Sequence, residues 1–168
     1  MSTAEHRQQA AGKRALCAVL TISDTRTKET DKGGRVIIEN LEAAGHMIGD
    51  YAIVKDDAQQ IEAQLRAWLG ENRFDVICTT GGTGISSRDT TIEVVARLLD
   101  KQLDGFGELF RMLSWDEVGA AAMLSRAIGG LAGETLLFAM PGSTNAVKLA
   151  MEKLIVPELP HLIWERSR

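Results

Sequence analysis

The chain has only two cysteines, Cys17 and Cys78, and each stands alone inside an apolar run. That excludes a disulfide framework and a thiolate metal pair, and leaves two buried, reduced thiols. The histidines His6, His46 and His161 are scattered without ligand spacing, so no zinc site is read from the sequence. Basic charge is not in excess: 19 Lys and Arg against 23 Asp and Glu give a net charge of −4, which argues against a nucleic-acid surface. No apolar stretch approaches the roughly 20 residues that cross a bilayer. The polar, mixed-charge segment from Ser2 to Arg14 lacks the apolar core of a secretory signal. A flexible N-terminal tail over 1–14, a single compact domain over 15–168 and a cytoplasmic location are expected, with no internal repeat or linker. At 168 residues, 45% of them hydrophobic and 25% charged, the chain can bury a core without disulfides or a structural metal.

What is present is an alternation of short apolar runs and helical stripes. Ala15 to Ile22 is almost continuously apolar, as in a central strand covered on both faces. Ile37, Leu41 and Ala44 then recur at helical spacing up to a stop at Gly45. Met47 to Val54 predicts a second strand, and Ile61, Leu65, Trp68 and Leu69 a second helix. Asp75 to Thr80 predicts a third strand, followed by a helix marked by Ile92, Val95, Ala96 and Leu99. Between Phe106 and Arg126 the pattern suggests two helices separated near Ser114-Trp115-Asp116. Ile128 to Leu131 and Thr135 to Met140 predict a hairpin at a sheet edge, and Ala146 to Leu154 a C-terminal helix, with Pro157 and Pro160 punctuating the tail. The expectation is an α/β fold, a three-layer α/β/α sandwich with a mostly parallel central sheet and an edge hairpin.

Thr79-Thr80-Gly81-Gly82-Thr83-Gly84-Ile85-Ser86-Ser87-Arg88-Asp89 sits at a predicted strand-to-helix junction, where α/β sheets bind ligands. Glycine there reaches positive φ and lets backbone N–H groups approach an anion, so the loop reads as a phosphate cradle with a carboxylate at its lip. It is neither a Walker A sequence nor a dinucleotide fingerprint: Arg88-Asp89 stands where Gly-Lys-Ser/Thr is needed, and Ser87 where a third glycine belongs. Polar clusters also follow the other strands, at Ser23-Asp24-Thr25, Asp56-Asp57 and Pro141-Gly142-Ser143. In a parallel sheet these lie on one rim.

Ile53-Val54-Lys55-Asp56, Thr80-Gly81-Gly82-Thr83-Gly84, Arg88-Asp89, Leu124-Ser125-Arg126-Ala127 and Met140-Pro141-Gly142-Ser143, in that order, resemble the MoaB/MogA family of molybdenum cofactor biosynthesis. Gly105 to Ser114 resembles its MoaB branch in particular. The resemblance covers nearly the whole chain after the tail, and makes 15–168 a molybdopterin-binding domain. It implies molybdopterin as ligand and, in competent members, transfer of AMP from Mg-ATP to the terminal phosphate of molybdopterin with release of pyrophosphate. The alternative is a non-catalytic molybdopterin-binding module of the same fold. Asp56 and Asp89 match the acidic positions around the Mg²⁺ and the reacting phosphates, and carboxylates suit that hard ion. Gly81, Gly82, Thr83 and Gly84 match the phosphate loop, Ser125 the pterin-side serine, and Pro141, Gly142, Ser143 and Asn145 the second ligand loop. Ser23 and Asp24 match the polar turn after the first strand.

Several of these residues have simpler uses. Asp56 or Asp89 can cap a helix, Ser23 or Asp24 can close a turn, and Arg88 either neutralises phosphate or pairs with a surface acid. Ile85-Ser86-Ser87 and Thr90-Thr91 replace prolines of many MogA-type relatives, so a less rigid loop is expected. The resemblance also implies a homo-oligomer, trimer or hexamer. Phe106, Phe110, Met112 and Trp115 either lie at a subunit contact or fill the core.

Overall fold

The computed structural model describes residues 3–167. In chain order the elements are α1 (Thr3–Ala10), β1 (Leu16–Ile22), α2 (Lys32–Ala43), β2 (Met47–Val54), α3 (Ala58–Gly70), β3 (Val76–Thr80), α4 (Thr91–Leu98), β4 (Lys101–Gln102) and α5 (Asp104–Val118). A 3₁₀ segment (Gly119–Leu124), β5 (Ile128–Ala132), β6 (Thr135–Met140), α6 (Thr144–Ala150), a π segment (Met151–Ile155) and α7 (Val156–Arg166) complete it.

The strands form one six-stranded sheet in the order β2-β1-β3-β6-β5-β4. β2, β1, β3 and β6 are mutually parallel, while β5 runs antiparallel to both β6 and β4. Successive side chains of a strand face opposite ways, and the two faces build separate cores. Cys17, Val19, Cys78, Phe138 and Met140 pack against α2, α5, α6 and α7. Ala18, Leu20, Ile22, Ile77 and Leu137 pack against α3 and α4. The fold is therefore the three-layer α/β/α sandwich. Ile22 pairs with Val54, and Thr80 with both Thr21 and Met140, so the C-terminal tips of the parallel strands end level and share one rim. Both thiols are buried, and burial pushes Cys17 up to about 12, so neither is a nucleophile at neutral pH.

Four details differ from expectation, and one open alternative is resolved. Instead of a flexible tail, Thr3–Ala10 is helical and packs on α7, with Ala10 buried. The helix expected to break near Ser114 runs on to Val118, with Ser114 buried and its hydroxyl accommodated by donation to Phe110 O (2.8 Å); the break comes at Gly119, at φ +59°. Phe106 and Phe110 are core, whereas Met112 and Trp115 are 66% and 60% exposed. The hairpin exists, but β6 is an interior strand; Gly130 lets the short β4 lie close against β5 as the sheet edge. Pro157 and Pro160 do not end the chain's helix. Pro157 enters the first turn of α7, where its missing N–H is tolerated, and the π segment just before it resets the bonding register. Leu159 and Ile163 then bury the far turns of α7, and the Arg166 guanidinium clamps Asp75 at the opposite end of β3. Among the described residues, no helix is long and apolar enough to cross a membrane.

Candidate active site at the strand-tip rim

β1, β2, β3 and β6 deliver their following residues into a crevice of about 480 Å³, lined by Ser23, Asp24, Asp56, Asp89, the loop Gly81–Gly84, Pro141 and Gly142. The tips approach this closely because glycine stands where they meet. A Cβ on Gly81 (φ +97°) would lie 2.3 Å from Ile22 O, and one on Gly142 would lie 3.3 Å from Gly81 Cα. A Cβ on Gly82 (φ +64°) would lie 2.4 Å from Thr91 Oγ1 and 3.0 Å from Asp56 Oδ1. Thr80 fastens β3 to β6 by donating its hydroxyl to Pro141 O (2.9 Å).

Capping falls to residues other than the two acids singled out above. Asp57 caps α3, its carboxylate accepting from Gln60 N (2.9 Å), which leaves Asp56 outside that role. Asp56 Oδ1 is buried without a hydrogen-bond partner. Burial first, then the charges of Asp89 and Asp24, raise the Asp56 pKa, with Arg88 opposing. Three carboxylates thus crowd one corner, each raising the cost of ionising the next. Asp89 is held the other way: the Ser86 hydroxyl (2.7 Å) and the Ser86 N–H (3.0 Å) both donate to its Oδ2, and the hydroxyl bond is the leading cause of its lowered pKa. A proline at position 86 would have no N–H to give. The loop is therefore braced by bonds in place of ring rigidity.

An orphaned, repelled carboxylate oxygen beside a second carboxylate is a donor set suited to a hard divalent cation, which prefers oxygen ligands. The residues present fit Mg²⁺. Other candidates have defined roles as well. The Ser23 hydroxyl accepts from Thr25 N (3.2 Å) and Arg26 N (3.1 Å), closing the turn after β1. Asp24 Oδ1 accepts from Asp56 N (3.1 Å), tying the tips of β1 and β2. Arg88 lies outside the crevice wall, pairs with Asp24 Oδ2 at 2.7 Å and donates to Asp56 O at 3.3 Å.

Ser125, Ser143 and Asn145 do not line this crevice. They line a neighbouring hollow of about 700 Å³, and Leu124 and Pro141 form the wall that the two spaces share. Ser143 caps α6 by accepting from Ala146 N (3.2 Å). The rim is therefore bipartite.

Four contributors were given no role in the site from the sequence. Arg126 donates to Gly84 O (2.8 Å) and pairs with Glu93, bracing the loop from the segment after the 3₁₀ turn. Asp31 caps α2 through Gly34 N (2.9 Å) and accepts from Thr21 Oγ1 (2.5 Å) and Tyr51 OH (2.6 Å). Lys32 and Gly33 follow it into the crevice at a helix N-terminus. Only the Asp31 cap had a local signal, an aspartate three residues ahead of Gly34. Arg126 and Gly84 lie 42 residues apart.

Comparisons agree with this architecture. A family model described as a probable molybdopterin binding domain matches residues 18–161. The chain is 53% identical to the molybdenum cofactor biosynthesis protein B of Bacillus cereus over 169 residues, covering 100% of this chain and 99% of that one. The crystal structure of a molybdenum cofactor biosynthesis protein B superposes with a TM-score of 0.91 at 54% identity, over 94% of this chain and 99% of that one. The tungsten cofactor synthesizing protein MoaB from Pyrococcus furiosus superposes with a TM-score of 0.84 at 38% identity, over 94% and 100%. Residue motifs, rim geometry and end-to-end similarity converge: the chain belongs to the MoaB/MogA family of molybdenum cofactor biosynthesis proteins, on its MoaB branch.

Proposed function

We propose that the protein is a Mg²⁺-dependent molybdopterin adenylyltransferase, binding ATP at the glycine loop and molybdopterin across the adjoining hollow. The observation that carries this reading is the unpartnered Asp56 Oδ1, buried beside Asp89 and Asp24 at a glycine loop and one shared wall away from a second polar hollow. A terminal phosphate oxygen of molybdopterin attacks the α-phosphorus of ATP, the bond to the β-phosphate oxygen breaks, and pyrophosphate leaves. Such a reaction demands positioning and charge neutralisation more than covalent help. The amides of Gly82 and Thr83, together with Gly33 in the first turn of α2, are the backbone donors offered to phosphate oxygens, since Gly81 N is already spent on Met140 O (3.1 Å) and Gly34 N on the Asp31 carboxylate (2.9 Å). Asp89 holds Mg-ATP, while Asp56 orients the metal or the attacking phosphate; the ion, when bound, neutralises charge on the reacting phosphates. Ser125, Ser143 and Asn145 offer hydroxyl and amide groups to pterin nitrogens and phosphate oxygens, and Pro141 and Gly142 shape the passage between the two spaces. Arg88 exchanges its bond with Asp24 for phosphate at the mouth of the crevice.

We infer in addition that the protein acts in the cytoplasm as a homo-oligomer, trimer or hexamer. The exposed Leu109, Met112, Trp115 and Met123 supply apolar surface that a contact would cover.

Purified protein given molybdopterin and Mg-ATP should release pyrophosphate and form adenylylated molybdopterin. Tight molybdopterin binding without pyrophosphate release identifies the non-catalytic module instead. The Asp89→Asn variant should keep molybdopterin affinity while losing a factor of about ten or more in turnover.

A further inference from the structure

Far from the rim, α1 and α7 bring together His6, His161 and Glu165, whose ligand atoms all lie within 4.8 Å of one another. We propose that this cluster is a binding site for a Zn²⁺-type divalent transition-metal cation, which clips the N-terminal helix to the C-terminal one.

Four observations lead there. His6 Nδ1 lies 2.9 Å and His161 Nε2 lies 3.5 Å from the same Glu165 Oε1. A tetrahedral cation with bonds of about 2.0–2.1 Å needs ligand separations of about 3.3 Å, so the set closes with side-chain movements of an ångström or so. The second observation is the support behind His161. Its Nδ1 sits 2.5 Å from Glu158 Oε1, and Glu158 Oε2 is fixed by Arg7 at 2.7 Å. A carboxylate behind the ring is the arrangement that orients a metal-binding imidazole and sets its tautomer. With its proton on Nδ1, His161 presents a lone pair at Nε2, and that atom is buried without a hydrogen-bond partner. A lone pair facing a carboxylate oxygen calls for a cation between them. Third, the Trp164 ring stands 4.6 Å from the His6 ring and 6.3 Å from the His161 ring, an apolar wall that excludes water from one side. Fourth, two imidazoles and one carboxylate with the remaining side open suit Zn²⁺ and its neighbours and do not suit Mg²⁺ or Ca²⁺. The cation joins residues at nearly opposite ends of the chain, which gives α1 a fixed seat.

Untagged protein stripped with a chelator and titrated with Zn²⁺ alone tests this. Native mass spectrometry should show one Zn²⁺ per chain, with micromolar or tighter affinity by competition against a chromophoric chelator. His6→Ala and His161→Ala should each weaken it by at least tenfold. Glu158→Gln, which keeps all three ligands, should weaken it by about 10–100-fold. Zn²⁺ should also slow amide exchange over Thr3–Ala10 in the parent and not in His6→Ala. Absence of binding at equimolar Zn²⁺ would overturn the proposal. Binding that survives both histidine changes, or that ignores Glu158→Gln, would equally overturn it. Because His6 sits on a peripheral helix, the His6→Ala result does not depend on refolding of the core.

Discussion

Replacing Gly82 with alanine separates two costs that the glycine loop combines. Gly82 and Gly133 have nearly the same positive φ, at +64° and +59°. A Cβ on Gly133, in the β5–β6 turn, meets nothing within 4 Å, whereas one on Gly82 meets Thr91 Oγ1 at 2.4 Å and Asp56 Oδ1 at 3.0 Å. Gly133→Ala should therefore cost only the left-handed conformation, about 1–2 kcal/mol. Gly82→Ala should cost that and an overpacking penalty of about 1–3 kcal/mol, because Thr91 is fully buried at the head of α4 and cannot simply turn away. Against a typical stability of about 5–15 kcal/mol the variant still folds. Urea unfolding of both variants and the parent measures the difference directly, provided the slopes agree. The catalytic consequence is separate: displacing Asp56 by a fraction of an ångström to an ångström should lower pyrophosphate release about 100-fold, while Gly133→Ala leaves it unchanged. Equal destabilisation by the two substitutions, or full activity in Gly82→Ala, would refute the view that bare backbone is needed against Asp56.

Asp56→Asn removes a charge that its neighbours resist, so it should leave stability unchanged or raised while cutting turnover by about 100-fold or more; a loss of both together would count against its place at the reacting phosphates. The two acids should also separate in pH. The Asp56 pKa is raised, so its carboxylate is lost first on acidification, and the acid limb of the transfer rate should lie above the ordinary aspartate value of about 4 and move downward in Asp24→Asn. The Asp89 pKa is lowered, so its hold on Ser86 is intact above the ordinary value and lost only as pH falls through the depressed one; exchange of the Ser86 amide should stay slow until then. Arg126→Gln should raise the KM for ATP more than it lowers kcat, at a cost of about 1–2 kcal/mol in stability, since it frees Gly84 and removes the partner of Glu93. Unaltered kinetics would confine Arg126 to a structural role.

What the sequence made legible was local or periodic. The apolar run of β1 announced a strand covered on both faces, and the glycines after β3 announced a ligand loop, because each signal lies within a few consecutive residues. Its limits were contacts between distant residues. Nothing near Gly84 names Arg126, and nothing near His6 names His161. Local breakers also misled where tertiary packing overruled them. Pro157 and Pro160 read as an end, yet the π segment absorbs the first and buried Leu159 and Ile163 carry the helix past the second. Ser114 read as a gap, although its hydroxyl finds an acceptor in a carbonyl of its own helix and tertiary packing buries it there. Asp56 showed the opposite relation: the sequence offered a cap as its simpler use, and only the geometry showed that Asp57 already fills that place.

The helical stretch that begins at the Ser143 cap runs through the π segment to Arg166, a span of about 34 Å at 1.5 Å per residue. It works as a strut, with one foot beside the second hollow and the other locked to Asp75 beneath the sheet. The lip of that hollow is thereby referenced to the far floor of the molecule, and a loosened foot at Arg166 is felt at the mouth where a ligand enters.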